Sequence, residues 1–123
     1  MVSRYTQFGH EGESIAAGYL KKSGYKIIVQ NYQNKLGEID IIAKDRDTLV
    51  FVEVKSRRSG QYGHPKWAVT PRKQRKISMV ALYYLKESRQ THRKARFDVV
   101  TVLDRQKKPV VEIIKNAFEL AYE

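Results

Sequence analysis

Glu38-Ile39-Asp40-Ile41-Ile42-Ala43 and Leu49-Val50-Phe51-Val52-Glu53-Val54-Lys55 are two apolar runs, separated by the polar stretch Lys44-Asp45-Arg46-Asp47-Thr48. Short runs rich in β-branched residues around a polar turn predict an antiparallel hairpin. Closing it on Arg46-Asp47 sets Asp45 opposite Thr48. Counting outward then sets Asp40 opposite Glu53 and Glu38 opposite Lys55. Side chains alternate across a strand, so Glu53 and Lys55 share one face, Val52 and Val54 share the other, and Glu38 and Asp40 point together. A one-residue bulge would change this register.

Directly opposed Cβ atoms lie ~5 Å apart, where two carboxylates repel. A shared divalent cation removes the objection. Mg²⁺ takes oxygen ligands at ~2.1 Å and is commonly held by one or two carboxylates together with water and phosphate. Lys55, on the same face, is then placed to contact a phosphate or the attacking water, which is the arrangement phosphodiester hydrolysis needs. The bland alternative is a solvated hairpin face carrying a weak Glu38–Lys55 surface pair. Against it stand the apolar neighbours of these charges, which read as the centre of a sheet covered on both faces.

Outward from the hairpin, Gly12 to Lys22 reads as a helix stopped by Gly24, and residues 25–32 as a strand. Thr70-Pro71 opens a second helix, with threonine as cap and proline in the first helical position. Ile77, Val80, Ala81, Tyr84 and Leu85 recur at helical spacing, so this helix packs on something. Residues 96–103 and 110–114 read as closing strands around a turn at 104–109. The order αβββαββ predicts one α/β domain over residues 1–123, with a central sheet of about five strands flanked by helices.

The remaining composition narrows the function. Lys and Arg total 24 against 13 Asp and Glu, a formal net charge of +11. Such a balance favours a polyanionic partner, nucleic acid before an anionic membrane surface. No apolar run approaches the ~20 residues of a membrane span, and the first residues lack the apolar stretch of a secretory signal, so a cytoplasmic protein is expected. There is no cysteine, hence no disulfide or thiolate chemistry. His10, His64 and His92 are too scattered for a zinc site.

Basic residues gather around the hairpin's end. Ser56 to Lys66 is a basic loop carrying Arg57, Arg58, Tyr62, His64 and Lys66, followed by Trp67, a composition suited to tracking a nucleic-acid backbone. Trp67 reads rather more as a core anchor than as a stacking platform. Arg72, Lys73, Arg75 and Lys76 crowd the start of the second helix against its dipole, which makes sense if phosphates dock there. A solvated face remains open for one or two of them. Gln74 lies on the inward stripe with Ile77, Ala81 and Leu85. Glu13 shares a stripe with Ala16, Ala17 and Leu20; it either looks over the sheet toward the acids or is an acid favoured near a helix start, and spacing alone does not choose. Asp98, between Phe97 and Val99, reads as a structural acid paired with an arginine.

Gly37-Glu38-Ile39-Asp40-Ile41-Ile42-Ala43 with Phe51-Val52-Glu53-Val54-Lys55 resembles the core of the PD-(D/E)xK, restriction-endonuclease-like nuclease superfamily. Together with Gly12-Glu13, Ala16-Ala17, Lys73-Gln74 and Arg96-Phe97-Asp98-Val99-Val100, it is most similar to the YraN-like family, itself similar to archaeal Holliday-junction resolvases. Ile39 stands where that superfamily's motif has proline. The resemblance implies that Asp40 and Glu53, helped by the Val54 carbonyl and by Glu13, hold Mg²⁺ or Mn²⁺. It implies that Lys55 orients or activates water, and that Gln74 supports Lys55 or the substrate backbone. The expectation is a metal-dependent DNA endonuclease acting on branched DNA, as a homodimer because a symmetric junction needs paired cuts. The competing readings are a non-catalytic nucleic-acid-binding protein of the same fold and a domain for an acidic partner.

Overall fold

The computed structural model describes residues 4–58, 69–105 and 108–120. Its elements are α1 (Arg4–Lys22), β1 (Lys26–Asn34), β2 (Gly37–Asp45), β3 (Thr48–Arg58), α2 (Pro71–Glu87), β4 (Ala95–Arg105) and β5 (Lys108–Phe118). The order is the expected αβββαββ. All five strands form one sheet in the order β1-β2-β3-β4-β5. Only β3 and β4 run parallel, because α2 is the crossover between them; the other neighbours are antiparallel. The result is the mixed sheet that the sequence predicts, consistent with a nuclease-like α/β fold.

Each helix covers one face. Ala16, Ala17 and Leu20 of α1 pack on Ile41, Ala43, Val50, Val52, Val100 and Val102. Ile77, Val80, Ala81 and Leu85 of α2 pack on Ile39, Ile42, Leu49, Phe51, Phe97 and Val99. The central strand β3 therefore alternates between two dry interfaces, which is why its sequence reads as nearly continuous apolar residues. Gly24, at φ 98°, ends α1, where Tyr25 N–H donates to the Leu20 carbonyl.

α2 starts where its signals place it: Thr70 Oγ1 accepts from the Lys73 N–H at 3.2 Å and Pro71 follows. The β1–β2 turn lies beneath this helix. Gly37 has φ 150°, and a Cβ there would stand 3.1 Å from Val80 Cγ2 and 3.3 Å from Lys76 Cε, while Asn34 Nδ2 donates to the Val80 carbonyl at 3.3 Å. That close approach fixes the start of α2 over the end of the hairpin.

The first helix and the last hairpin are longer than the sequence suggests. Glycines at 9 and 12 obscured the start of α1. In β5, Pro109 sits inside the strand because β5 is a sheet edge, where a missing N–H breaks no second ladder.

Asp98 is structural, as its neighbours suggest. Fully buried, it accepts from Arg96 Nε at 3.0 Å, Tyr25 Oη at 2.9 Å and the Asn116 N–H at 3.0 Å. Arg96 also reaches Asp45 Oδ2 at 2.7 Å, and the Arg96 hydrogen bond holds the Asp45 carboxyl below its ordinary pKa. Burial and the Asp98 contact push the Tyr25 hydroxyl up to about 12. Removing one member of a buried network strands the others, so Asp98→Ala is expected to cost about 3 kcal/mol or more. Urea unfolding should show a lower midpoint with an unchanged slope.

Candidate functional site

The hairpin register is as counted from Asp45↔Thr48 to Ile41↔Val52, and the ladder stops there. The expected ladder pairs Asp40–Glu53 and Glu38–Lys55 do not form. Instead Asp40 Oδ2 accepts the Val54 N–H at 2.8 Å, so a side-chain oxygen takes the place of a cross-strand carbonyl and the strands part. The alternation of β2 breaks at the same point. Ile39 and Ile42 both face α2, whereas Ile41 and Ala43 face α1. By count, Asp40 lies across β1 from Asn31, which is in the left-handed region at φ 55°. Glu38, freed from Lys55, is exposed and accepts from Gln33 Nε2 at 3.2 Å.

A cleft of about 460 Å³ lies between the β1–β2 end of the sheet, β3 and α2, with Asp40, Glu53, Lys73 and Lys76 among its lining residues. Asp40 and Glu53 meet in it despite not being ladder partners. Glu53, only 9% exposed, is pushed up to about 8 by burial first and then by the hydrogen bond and charge of Asp40, against the attraction of Lys73 and Lys55. Lys73 Nζ lies 3.3 Å from Glu53 Oε2, but its side chain is 44% exposed against 10% for Glu53, too solvated to offset that burial. Glu53 therefore holds its proton into the neutral range beside the Asp40 carboxyl.

The two lysines are also in contact. Burial lowers the pKa of Lys55, and the hydrogen bond from Lys73 lowers it further, while Glu53 and Asp40 oppose the change. Burial works against the Lys73 charge too, but Glu53 and the Lys55 contact outweigh it and its pKa is raised. Their pKa values are thus driven apart, Lys55 downward and Lys73 upward. Lys55 rides on the central strand, so its position is set by the sheet, whereas Lys73 comes from the first turn of α2.

The other predicted site residues lie elsewhere or contribute differently. Glu13 is half-buried and engaged, yet it belongs to α1 on the face opposite α2. Among the described residues no three acidic or imidazole side chains converge at metal-holding separation, so the structure does not join Glu13 to Asp40 and Glu53. Gln74 Nε2 donates to the Val69 carbonyl at 2.9 Å. That bond fastens the chain leading into α2, and Gln74 does not line the cleft. Arg72 and Lys76 are exposed, and Arg75 and Arg57 half-buried. Lys66, with Tyr62, His64 and Trp67, lies outside the described residues, as does the side chain of Arg58. Lys73, read from sequence as a phosphate contact, sits instead against the acid pair. The signal was its place four and seven residues before Ile77 and Val80, on the inward stripe of α2.

The chain belongs to the uncharacterised protein family UPF0102, whose pattern matches residues 12–102. It is similar to a UPF0102 protein of Syntrophus aciditrophicus (strain SB), 54% identical over 99% of this chain and 98% of the relative. A UPF0102 protein of Desulfosudis oleivorans is 51% identical, covering 97% and 95%, and one of Geobacter metallireducens 52% identical, covering 93% of each. No helix among the described residues is long and apolar enough to cross a membrane.

The raised pKa of Glu53 has a sign. The folded protein keeps a proton that the unfolded chain has released above about pH 4.3. This contribution to stability is complete below that pH, is lost as pH rises through about 8, and is absent above. Chemical denaturation from pH 5 to 9 without divalent ions should show wild type losing up to roughly 1 kcal/mol per pH unit relative to Glu53→Gln. Parallel pH profiles for the two proteins would contradict the assignment.

Proposed function

We propose that this protein is a metal-dependent nuclease that hydrolyses phosphodiester bonds in DNA, with Asp40, Glu53 and Lys55 as its central residues. The observation carrying the reading is the meeting of the Asp40 and Glu53 carboxyls in an open cleft, with Lys55 fixed beside them on the central strand. A Glu53 carboxyl whose pKa is raised by burial and by the neighbouring Asp40 is a costly arrangement for a scaffold and a suitable one for a divalent cation. The donor set fits Mg²⁺ or Mn²⁺: two hard carboxylates, with room in the cleft for water and phosphate oxygens. Asp40 Oδ2 is already engaged by the Val54 N–H, which orients that carboxylate and leaves Oδ1 to face an ion. When bound, such an ion supplies charge neutralisation at the phosphate and acidifies water.

The chain's own groups do the rest. Lys55, its pKa lowered by burial and by Lys73, accepts at Nζ the proton that water loses as its oxygen bonds to phosphorus. One P–O ester bond breaks, and the leaving oxygen acquires a proton from solvent. Lys73 and Lys76, on the α2 side of the cleft, offer ammonium groups to the phosphate backbone, and Arg72 extends that surface. The net charge of +11 supplies the long-range attraction. Branched DNA is the favoured substrate, on the resemblance to junction resolvases, and a homodimer would place two such clefts on a symmetric junction.

A cleavage panel with Mg²⁺ and Mn²⁺ on duplex, single-stranded, flap and four-way substrates tests the reading. Wild type should cut, chelation should abolish cutting, and Asp40→Asn or Lys55→Ala should lower the rate by on the order of 10²-fold or more. Activity surviving both substitutions would refute the mechanism. Salt-sensitive binding by an inactive wild type would instead make the chain a non-catalytic nucleic-acid-binding protein.

A further inference from the structure

The cleft has two walls of opposite charge. Glu38, Asp40 and Glu53 come from the sheet, while Lys73 and Lys76 come from the first turns of α2. Lys73 joins the walls, with Nζ 3.3 Å from Glu53 Oε2. That oxygen belongs to the carboxylate assigned above to a divalent ion. An ammonium at this distance and a divalent ion with ligands at ~2.1 Å compete for that carboxylate, because two cations drawn to one anion repel each other.

Resting on the nuclease reading, we propose that Lys73 is an exchangeable cation: it neutralises Glu53 before the ion arrives and is displaced onto a phosphate of the bound strand when the ion enters. Three features of the chain support the exchange. The Lys73 backbone is fixed, since its N–H is held by Thr70 Oγ1, so the long side chain swings from a constant origin. The first turn of α2 contains no acid, so a displaced Lys73 finds no carboxylate on its own turn. Finally, Lys76 lines the same wall one turn further on, marking a path along which phosphates meet consecutive ammonium groups. Lys55, half-buried on the central strand, stays with the acids, so the two lysines divide into a fixed group and a transferable one. Lys73 is thereby a positioning residue for ion and substrate, with effects of opposite sign on the two.

Calorimetric titration of Mn²⁺ into the full chain without nucleic acid reads the first sign. Lys73→Met and Lys73→Gln are compared with wild type and with Lys86→Met, which removes the same charge ~20 Å away along the helix. Both Lys73 variants should bind Mn²⁺ roughly three- to tenfold tighter than wild type, with Lys86→Met close to wild type. The second sign is read by binding of four-way DNA in Ca²⁺ at several salt concentrations. There Lys73→Met should bind more weakly, with the slope of log affinity against log salt reduced by about one. Equal or weaker Mn²⁺ uptake by the Lys73 variants, or an unchanged salt slope, overturns the exchange while leaving the nuclease reading standing. Absence of Mn²⁺ uptake by all the proteins overturns the metal reading and the exchange with it.

Discussion

The hydrogen bond from the Val54 N–H to Asp40 Oδ2 is the constraint on which the site depends. In a regular hairpin that amide would pair with a carbonyl of β2, and β2 and β3 would stay in contact to their ends. By supplying a side-chain oxygen instead, Asp40 satisfies the amide while letting the strands separate after Ile41↔Val52. The same bond aims one carboxylate into the cleft. Glu53 follows one position beyond the last ladder pair, on the α2 face, where there is little water to share with a neighbouring acid. The turn beneath α2, tight enough that a Cβ at Gly37 would press on Val80 and Lys76, then brings Lys73 and Lys76 over the same opening.

The charges in the cleft are poised against one another. Burial and the neighbouring Asp40 carboxyl make Glu53 hold its proton into the neutral range. Two lysines in contact have their pKa values driven apart. Glu53, Lys55 and Lys73 thereby depart from their ordinary pKa values, and each departure has a local cause in burial plus specific neighbours. In the Arg96–Asp98–Tyr25–Asp45 network the pKa of Asp45 is lowered instead. The acids of that network are saturated by an arginine, a hydroxyl and a backbone amide, which locks the strand ends. Partner chemistry, more than burial, distinguishes a structural acid from one disposed toward a ligand.

Much of this architecture was legible in the residues. The polar turn at 46–47 fixed the hairpin register, the Thr70-Pro71 pair fixed the start of α2, and the spacing of Ile77, Val80, Ala81 and Leu85 fixed the face it buries. Asp98 read correctly as structural because its neighbours left it no water. Reading failed where a rule of regular alternation met a local break. Asp40 ends the ladder instead of continuing it, so Glu38 and Lys55 never pair. Helical spacing put Glu13 and Gln74 on inward stripes without telling which layer each leans into, and their roles at the site rest on the resemblance alone.

The sequence by itself determined the element order, the two-sided burial of β3 and the identity of the charged residues embedded there, because those follow from periodicity and from the rarity of acids among β-branched neighbours. Only the tertiary structure decided that Lys73 stands against Glu53, that Glu13 belongs to the helix on the face opposite α2, and that the β2–β3 ladder ends at Ile41↔Val52. Those are distances between elements remote in sequence. They are set by how closely α2 settles on the hairpin and by one side-chain hydrogen bond, and no local pattern encodes either.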